Sequence, residues 1–420
     1  MTQRTYSAFE WICVDIANQA GRGLDKKLFE QRIEWTLSNF RCLTVLATPQ
    51  KERPLYVKGV MALFEACRGI ASGCMVGLDA TCSGMSIMSV LTKCYKGCWA
   101  TNLIDPDVRN DAYTLVTDAA SQALGGGMAI SRDDAKTATM TGLYGSLAEP
   151  KKVFGEDTAE LAAFYQGLAD TAPGAVELLG DLKAAWQPFA LAHSWDLPDC
   201  YRAHVKVMVK MEARITLEEL DDMSFTHYYR VNEGVERDLK LVANVTHSFD
   251  AYLLRSLVRR CNYDEAKIRK ALVVLQDELY ARAHHGAVEQ DLDEATTVAH
   301  RLIARWGACH VPDARLLDYV DGMDVIYMDT QHIEQMIRIA SEMMRYKPFP
   351  VVTVHDEFKC HPNNVNQMRF HYVSVLADLA RGFALEDVYQ QITGHVPYYE
   401  GAMDGNALAA LILESNYAIS

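Results

Sequence analysis

The segment Ser131-Arg132-Asp-Asp-Ala-Lys136-Thr-Ala-Thr-Met140-Thr-Gly-Leu-Tyr144-Gly145 places two cations and an aromatic at regular spacing. Ser131 is a plausible N-cap and predicts a helix running into Leu143. Arg132, Lys136, Met140 and Tyr144 then recur at steps of four. Each step turns about 40°, so the four side chains form one stripe about 120° wide. Cations at a helix N-terminus suit a triphosphate, because the helix dipole and the side-chain charges add there. An aromatic at the far end, followed by Gly145, can close over a base or ribose where backbone must come near. The same spacing also describes an amphipathic helix with a solvated basic edge, and spacing alone leaves both readings open.

Two acids flank this helix at a distance in sequence. Met75-Val76-Gly77-Leu78 precedes Asp79, and Val351-Val352-Thr353-Val354 precedes His355-Asp356. Short apolar, β-branched runs of this kind predict buried strands, here over 72–78 and 349–354. An acid at the end of a buried strand is held rigidly at a sheet edge. Two such acids on neighbouring strands can share a pair of magnesium ions, which prefer hard oxygen ligands. Strand-end acids that merely cap turns fit the pattern too.

The rest of the chain is consistent with a large mixed α and β protein. It has 420 residues, 50% hydrophobic and 23% charged, enough for two or three domains around a large core. Helical periodicity runs through 29–40, 60–67, 83–94 and 107–122, and from Asp264 to Tyr346 the pattern is mostly helical and heavily charged. Gly125, Gly126 and Gly127 mark a break before Ser131. No run of about 18 apolar residues is present, and Met1–Glu10 lacks the pattern of a signal peptide. The 11 cysteines are scattered; Cys82, Cys94 and Cys98 have no matching His or Cys pair downstream, so they read as reduced thiols rather than zinc ligands. The net charge of −14 runs against a polynucleotide-binding surface made by this chain alone. A local basic groove or a partner must supply the grip.

These segments together resemble one family, the single-subunit RNA polymerases of bacteriophages and mitochondria. Arg132 to Ser146 looks like its fingers helix, Asp79-Ala-Thr-Cys-Ser-Gly84 like its first catalytic motif, and Val354-His355-Asp356 like its last. Gly23-Leu-Asp-Lys26, Asn102 to Tyr113, His247-Ser-Phe-Asp250 and Gly405 to Tyr417 resemble further elements, in the family's order. The resemblance implies a helix-rich α+β right-hand fold with palm and fingers. The first part of the palm would occupy 1–95, the fingers 96–246, and the second part of the palm 247–420. That last part would carry a helical insertion at about 262–347 and a C-terminal foot. It implies that Asp79 and Asp356, with the Ala80 carbonyl, hold two Mg2+ ions. Arg132, Lys136 and Lys26 would bind the triphosphate, with Lys136 a proton donor to pyrophosphate. Tyr144, Gly145, Tyr113 and His247 would surround the ribose and the terminal base pair. Related DNA polymerases carry a glutamate a few residues after the first acid as a gate against the 2′-hydroxyl. Here Thr81-Cys82-Ser83-Gly84 is small, which favours ribonucleotides over the alternative of DNA synthesis. A non-catalytic scaffold subunit is the other alternative.

Three departures shape the expectation. The palm strand with an Asp-x-x-Gly-Arg motif, the thumb and the N-terminal promoter-binding domain have no counterpart. This is similar to the larger, catalytic subunit of the heterodimeric RNA polymerase of enquatro-type phages. It implies a second polymerase subunit, a melted or single-stranded DNA template, an RNA product, NTP substrates, a possible phage single-stranded-DNA-binding factor, no membrane, and a site of action in the cytoplasm of an infected bacterial host. The insertion between His247 and His355 is a candidate docking surface or a solvated decoration. Thr137 stands where a second arginine often follows the lysine, and Glu357 follows Asp356 where a small polar residue is common.

Overall fold

The computed structural model describes residues 3–47, 53–125 and 130–420. The expected glycine break falls partly outside them, at Gly126 and Gly127. Seven strands form among the described residues: β1 (Val76–Asp79), β2 (Ala192–Asp196), β3 (Arg202–Lys206), β4 (Met208–Leu217), β5 (Met223–Asn232), β6 (Val352–Val354) and β7 (Glu357–Cys360). Helices make up most of the remainder, so the class is helix-rich α+β.

β1, β7 and β6 lie in that order in an antiparallel sheet. β1 pairs with β7 so that Val76 faces Cys360 and Asp79 faces Glu357. β6 joins β7 through the two-residue turn His355-Asp356, with His355 at φ 55°. Positive φ at the first turn position matches the right-handed twist of the flanking strands. Both strands are shorter than the apolar runs suggest. β1 begins only at Val76, and its partner β7 ends at Cys360, just before Pro362. β6 begins at Val352, because Pro348 and Pro350 lack the N–H that a ladder needs. Beyond Asp79 the ladder is continued by the last residues of the chain: Ser420 N donates to the Asp79 carbonyl at 2.9 Å, and Ala80 bridges Ile419.

The helix Val365–Arg381 packs against helices Lys240–Cys261 and Gly405–Glu414. It is buried on nearly every side although it carries Gln367, Arg369, His371 and Asp378, so those polar side chains need partners inside the protein. Its few charged side chains are each compensated. Arg369 donates to the carbonyls of Arg4 (3.0 Å) and Asn416 (2.7 Å) and lies over the rings of Trp11 and Phe29. It thereby ties the two ends of the described chain to one helix.

The helix expected over 107–122 starts later, at Ala112. Residues 105–111 form a loop instead, because Asn102 holds it open. The Asn102 side chain accepts from Asn110 N (2.5 Å) and donates to Asn110 O (3.1 Å), while Asp111 caps the helix by accepting from Tyr113 N. Helix Ala159–Thr171 crosses this helix closely. A Cβ added at Gly167 would lie 2.7 Å from both Ala120 N and the Val116 carbonyl. Gly167→Ala should therefore lower stability by about 1–3 kcal/mol despite alanine's better helix propensity. A urea midpoint at or above that of the unmodified protein would contradict this close approach.

Residues 262–347 contain the helices Glu265–His285, Val298–Cys309 and Thr330–Met343. They bury a core of their own, centred on Leu275, Ile303, Ile333 and Met336, separate from the main core. The hairpins β2–β3 and β4–β5 correspond to no strand signal singled out in the sequence. No helix among the described residues is long and apolar enough to cross a membrane.

Candidate active site

β1, the His355-Asp356 turn and four α-helices converge on one cavity of about 450 Å³. Ala80 N donates to the Asp356 carbonyl at 3.0 Å, which fixes the turn beside the end of β1. Asp79, Ala80 and Asp356 all line the cavity. Burial, then the charges of Glu357 and Asp356, push the Asp79 carboxyl up to about 6. Asp356 and Glu357 thus stand close enough to Asp79 to disfavour a further negative charge beside them.

Glu357 also lines the cavity, and its carboxylate is ion-paired with Lys359 at 2.9 Å. It lies back across β1, where a Cβ at Gly77 would collide with it. Asp250, in the His247 element, is a further acid nearby. Burial, then the charge of Asp356, pushes it up to about 6.

The helix predicted from Ser131 runs Arg132–Gly142, and the Ser131 hydroxyl accepts from Asp134 N at 3.1 Å. It delivers Lys136, Met140 and Tyr144 to the cavity wall. Lys136 has no carboxylate within ion-pairing distance among the described residues, and its ammonium lies 5.7 Å from the Tyr113 ring centroid. Arg132 is placed differently. It does not line the cavity; its guanidinium is held by Asp111 at 2.6 Å, at the rim. Lys26 lines the cavity from the opposite side and pairs with Asp25 at 3.0 Å.

Tyr113 and Tyr144 frame the cavity mouth. Burial, with the Cys82 thiol against it, raises the Tyr113 phenol and keeps it protonated. Burial, then Asp250, pushes Tyr144 up to about 12. The Tyr144 ring lies 4.6 Å from that of His247, which stands behind it rather than at the cavity wall, and burial lowers the imidazole's pKa. Gly145, at φ 92°, turns the chain after Tyr144 against the Leu239 carbonyl.

The sequence pattern did not single out Asn18, Asp25, Arg109 or Asp111 as site residues, yet all four line the cavity. Asn18 lies near the end of the helix Ala8–Ala20, Asp25 in the short turn Leu24–Lys26, and Arg109 and Asp111 in the loop before Ala112, so no shared spacing points to them. Among the described residues no group of three His, Cys, Asp or Glu side chains is arranged to hold a metal unaided. The donors present still suit Mg2+, which commonly takes one or two carboxylates and completes its shell with phosphates and water.

Residues 3–147 match the family model of DNA-dependent RNA polymerase. This span is a DNA-dependent RNA polymerase domain, and the enzyme class is that of a nucleotidyltransferase. It contains Lys26, Asp79, Tyr113, Arg132, Lys136 and Tyr144, whereas His247 and Asp356 lie beyond it. No curated protein matches the chain.

Proposed function

We propose that the chain is the catalytic subunit of a bacteriophage DNA-directed RNA polymerase, which adds nucleotides from NTPs to an RNA 3′ end. One observation carries the reading. Asp79 and Asp356, remote in sequence, meet Lys136 and Tyr144 around a single cavity of nucleotide size. Asp79 and Asp356, with the Ala80 carbonyl, would hold two Mg2+ ions, which supply activation of the attacking hydroxyl and charge neutralisation at the leaving pyrophosphate. Lys136 and Lys26 bind the triphosphate, and Lys136 gives a proton to the departing pyrophosphate. Arg132 sets the rim through Asp111. Tyr113, Tyr144 and His247 position the sugar and the terminal base pair. Thr81 to Gly84 leave room for a 2′-hydroxyl.

A second polypeptide, implied by the resemblance, adds a strand to the sheet of β1, β7 and β6. The outer edge of β6 supports this, because it is unpaired among the described residues and exposes Val352 and Val354. The phage context, a single-stranded-DNA-binding factor and the host cytoplasm rest on the family resemblance alone.

The test is extension of an RNA primer on single-stranded DNA, with the chain alone and with its co-purifying partner. We expect rNTP incorporation in preference to dNTP, and only with the partner. The Mg2+ requirement carries a pH signature. Below about 6 Asp79 holds a proton that Mg2+ must displace, so the half-saturating Mg2+ concentration should fall as pH rises through that value and then level off. Equal use of dNTPs would overturn the RNA assignment, and full activity of the chain alone would remove the partner.

A further inference from the structure

Arg109 has an unusual position for an arginine with no assigned task. It lies in the 105–111 loop, and its guanidinium reaches the cavity wall shared by Asp79, Asp356, Lys26 and Lys136. The loop is not free to carry it elsewhere. Asn110, its neighbour, is clamped by the Asn102 side chain and donates to the Trp99 carbonyl at 2.8 Å.

Arginine presents five N–H donors in a fixed fork. Here Nη1 donates to the Asn110 carbonyl, and Nε is buried with no acceptor among the described residues. Asp25 and Asp111 are near enough to act on it electrostatically, but each already holds another cation. Asp25 pairs with Lys26 at 3.0 Å, and Asp111 with Arg132 at 2.6 Å. A mostly buried cation left this under-satisfied is costly unless something anionic completes its shell.

The neighbouring helix does not fill the same need. Thr137, at the position after Lys136, turns its hydroxyl back to the Asp133 carbonyl at 3.0 Å, and Arg132 stays at the rim. The cavity thus has one guanidinium that faces it without a carboxylate partner within ion-pairing distance among the described residues, and that group is Arg109.

We propose that Arg109 is a triphosphate-binding residue, its planar fork taking the terminal phosphate oxygens of the incoming nucleotide. This rests on the polymerase reading and adds to it a cation from outside the fingers helix. Guanidinium suits the role because two parallel N–H donors match two phosphate oxygens, which an ammonium cannot reproduce.

The test compares the unmodified full chain with Arg109→Gln and Arg109→Lys. Equilibrium affinities are measured for Mg·ATP, inorganic tripolyphosphate and AMP. We expect Arg109→Gln to weaken ATP and tripolyphosphate by about 10- to 100-fold, the scale of a lost charge-assisted pair, and to leave AMP within about twofold. Arg109→Lys should recover part of the loss. In primer extension the change should fall on the KM for NTP more than on kcat. A purely structural role would weaken AMP equally, and unchanged ATP affinity in Arg109→Gln would equally overturn the proposal. If Arg109→Gln does not fold, the lysine variant decides: ATP affinity equal to the unmodified chain rules the role out. An unmodified chain that binds neither ATP nor tripolyphosphate takes the polymerase reading down with it.

Discussion

Asp79→Asn and Asp356→Asn should each lower nucleotide incorporation by about three or more decades, the scale on which charge-stabilising elements of phosphoryl transfer act. The same substitution at Asp79 should not weaken the fold. In the metal-free protein, burial and the charges of Glu357 and Asp356 hold the Asp79 carboxyl at about 6, above its ordinary value. The folded state therefore binds that proton more tightly than the unfolded chain does. Its contribution to stability is fully present below the unfolded pKa and is lost as pH rises through about 6. Asparagine carries no charge and escapes this loss. Melting curves in chelator should show a decline with rising pH across that window in the unmodified protein, and a flatter profile in Asp79→Asn. Raised stability together with lost activity is the signature of a strained functional site. An active Asp79→Asn enzyme would refute the metal-ligand role. A variant that melts well below the parent would indicate that Asp79 supports the fold instead.

Asp378→Ala carries the largest expected effect on stability, about 3–5 kcal/mol. Asp378 lies on the buried helix Val365–Arg381 and accepts from Arg260 (2.8 Å), Arg338 (2.7 Å) and Arg381 (3.2 Å). Burial alone would raise its carboxyl, but the guanidinium groups of Arg338 and Arg260 outweigh it and the net shift is downward. Arg260 is only 1% exposed, and its Nε and Nη1 already lack partners among the described residues. His371 nearby stays neutral, since burial and then Arg260 lower it to about 3, and it cannot replace the lost carboxylate. Removing Asp378 leaves an uncompensated buried cation. The loss should be read as a fall in urea midpoint, and Arg260→Met in the same background should restore part of it. A shift below about 1 kcal/mol would show that water reaches Arg260. Arg338 belongs to the helix Thr330–Met343, so the same variant should loosen residues 262–347 from the main core.

Much of the site is legible in the chain because its chemistry is written in local pattern. Ser131 caps its helix as the residue type predicts, and the steps of four carry Lys136 and Met140 to one wall, which Tyr144 reaches from the turn just past Gly142. Arg132 shares that spacing but not that wall. Its proximity to Asp111 depends on a loop held open by Asn102, and no periodicity encodes such a contact. β1 and β6 begin later than their apolar runs for a similar reason. An apolar run shows what can be buried, whereas ladder length depends on where the partner strand stops and where proline removes a donor.

By itself the sequence determined a helix-rich mixture of α and β, the helix that begins at Ser131 and the two acids that end apolar runs. Each of these follows from propensity, capping and periodicity, which act within a few residues. Only the tertiary structure decided that Asp79 and Asp356 share one cavity, that Glu357 lies back over Gly77, and that Arg109 rather than Arg132 faces the cavity. Those outcomes depend on which charges find each other once water is excluded. Competition among partners far apart in the chain settles that, and it leaves no trace in spacing.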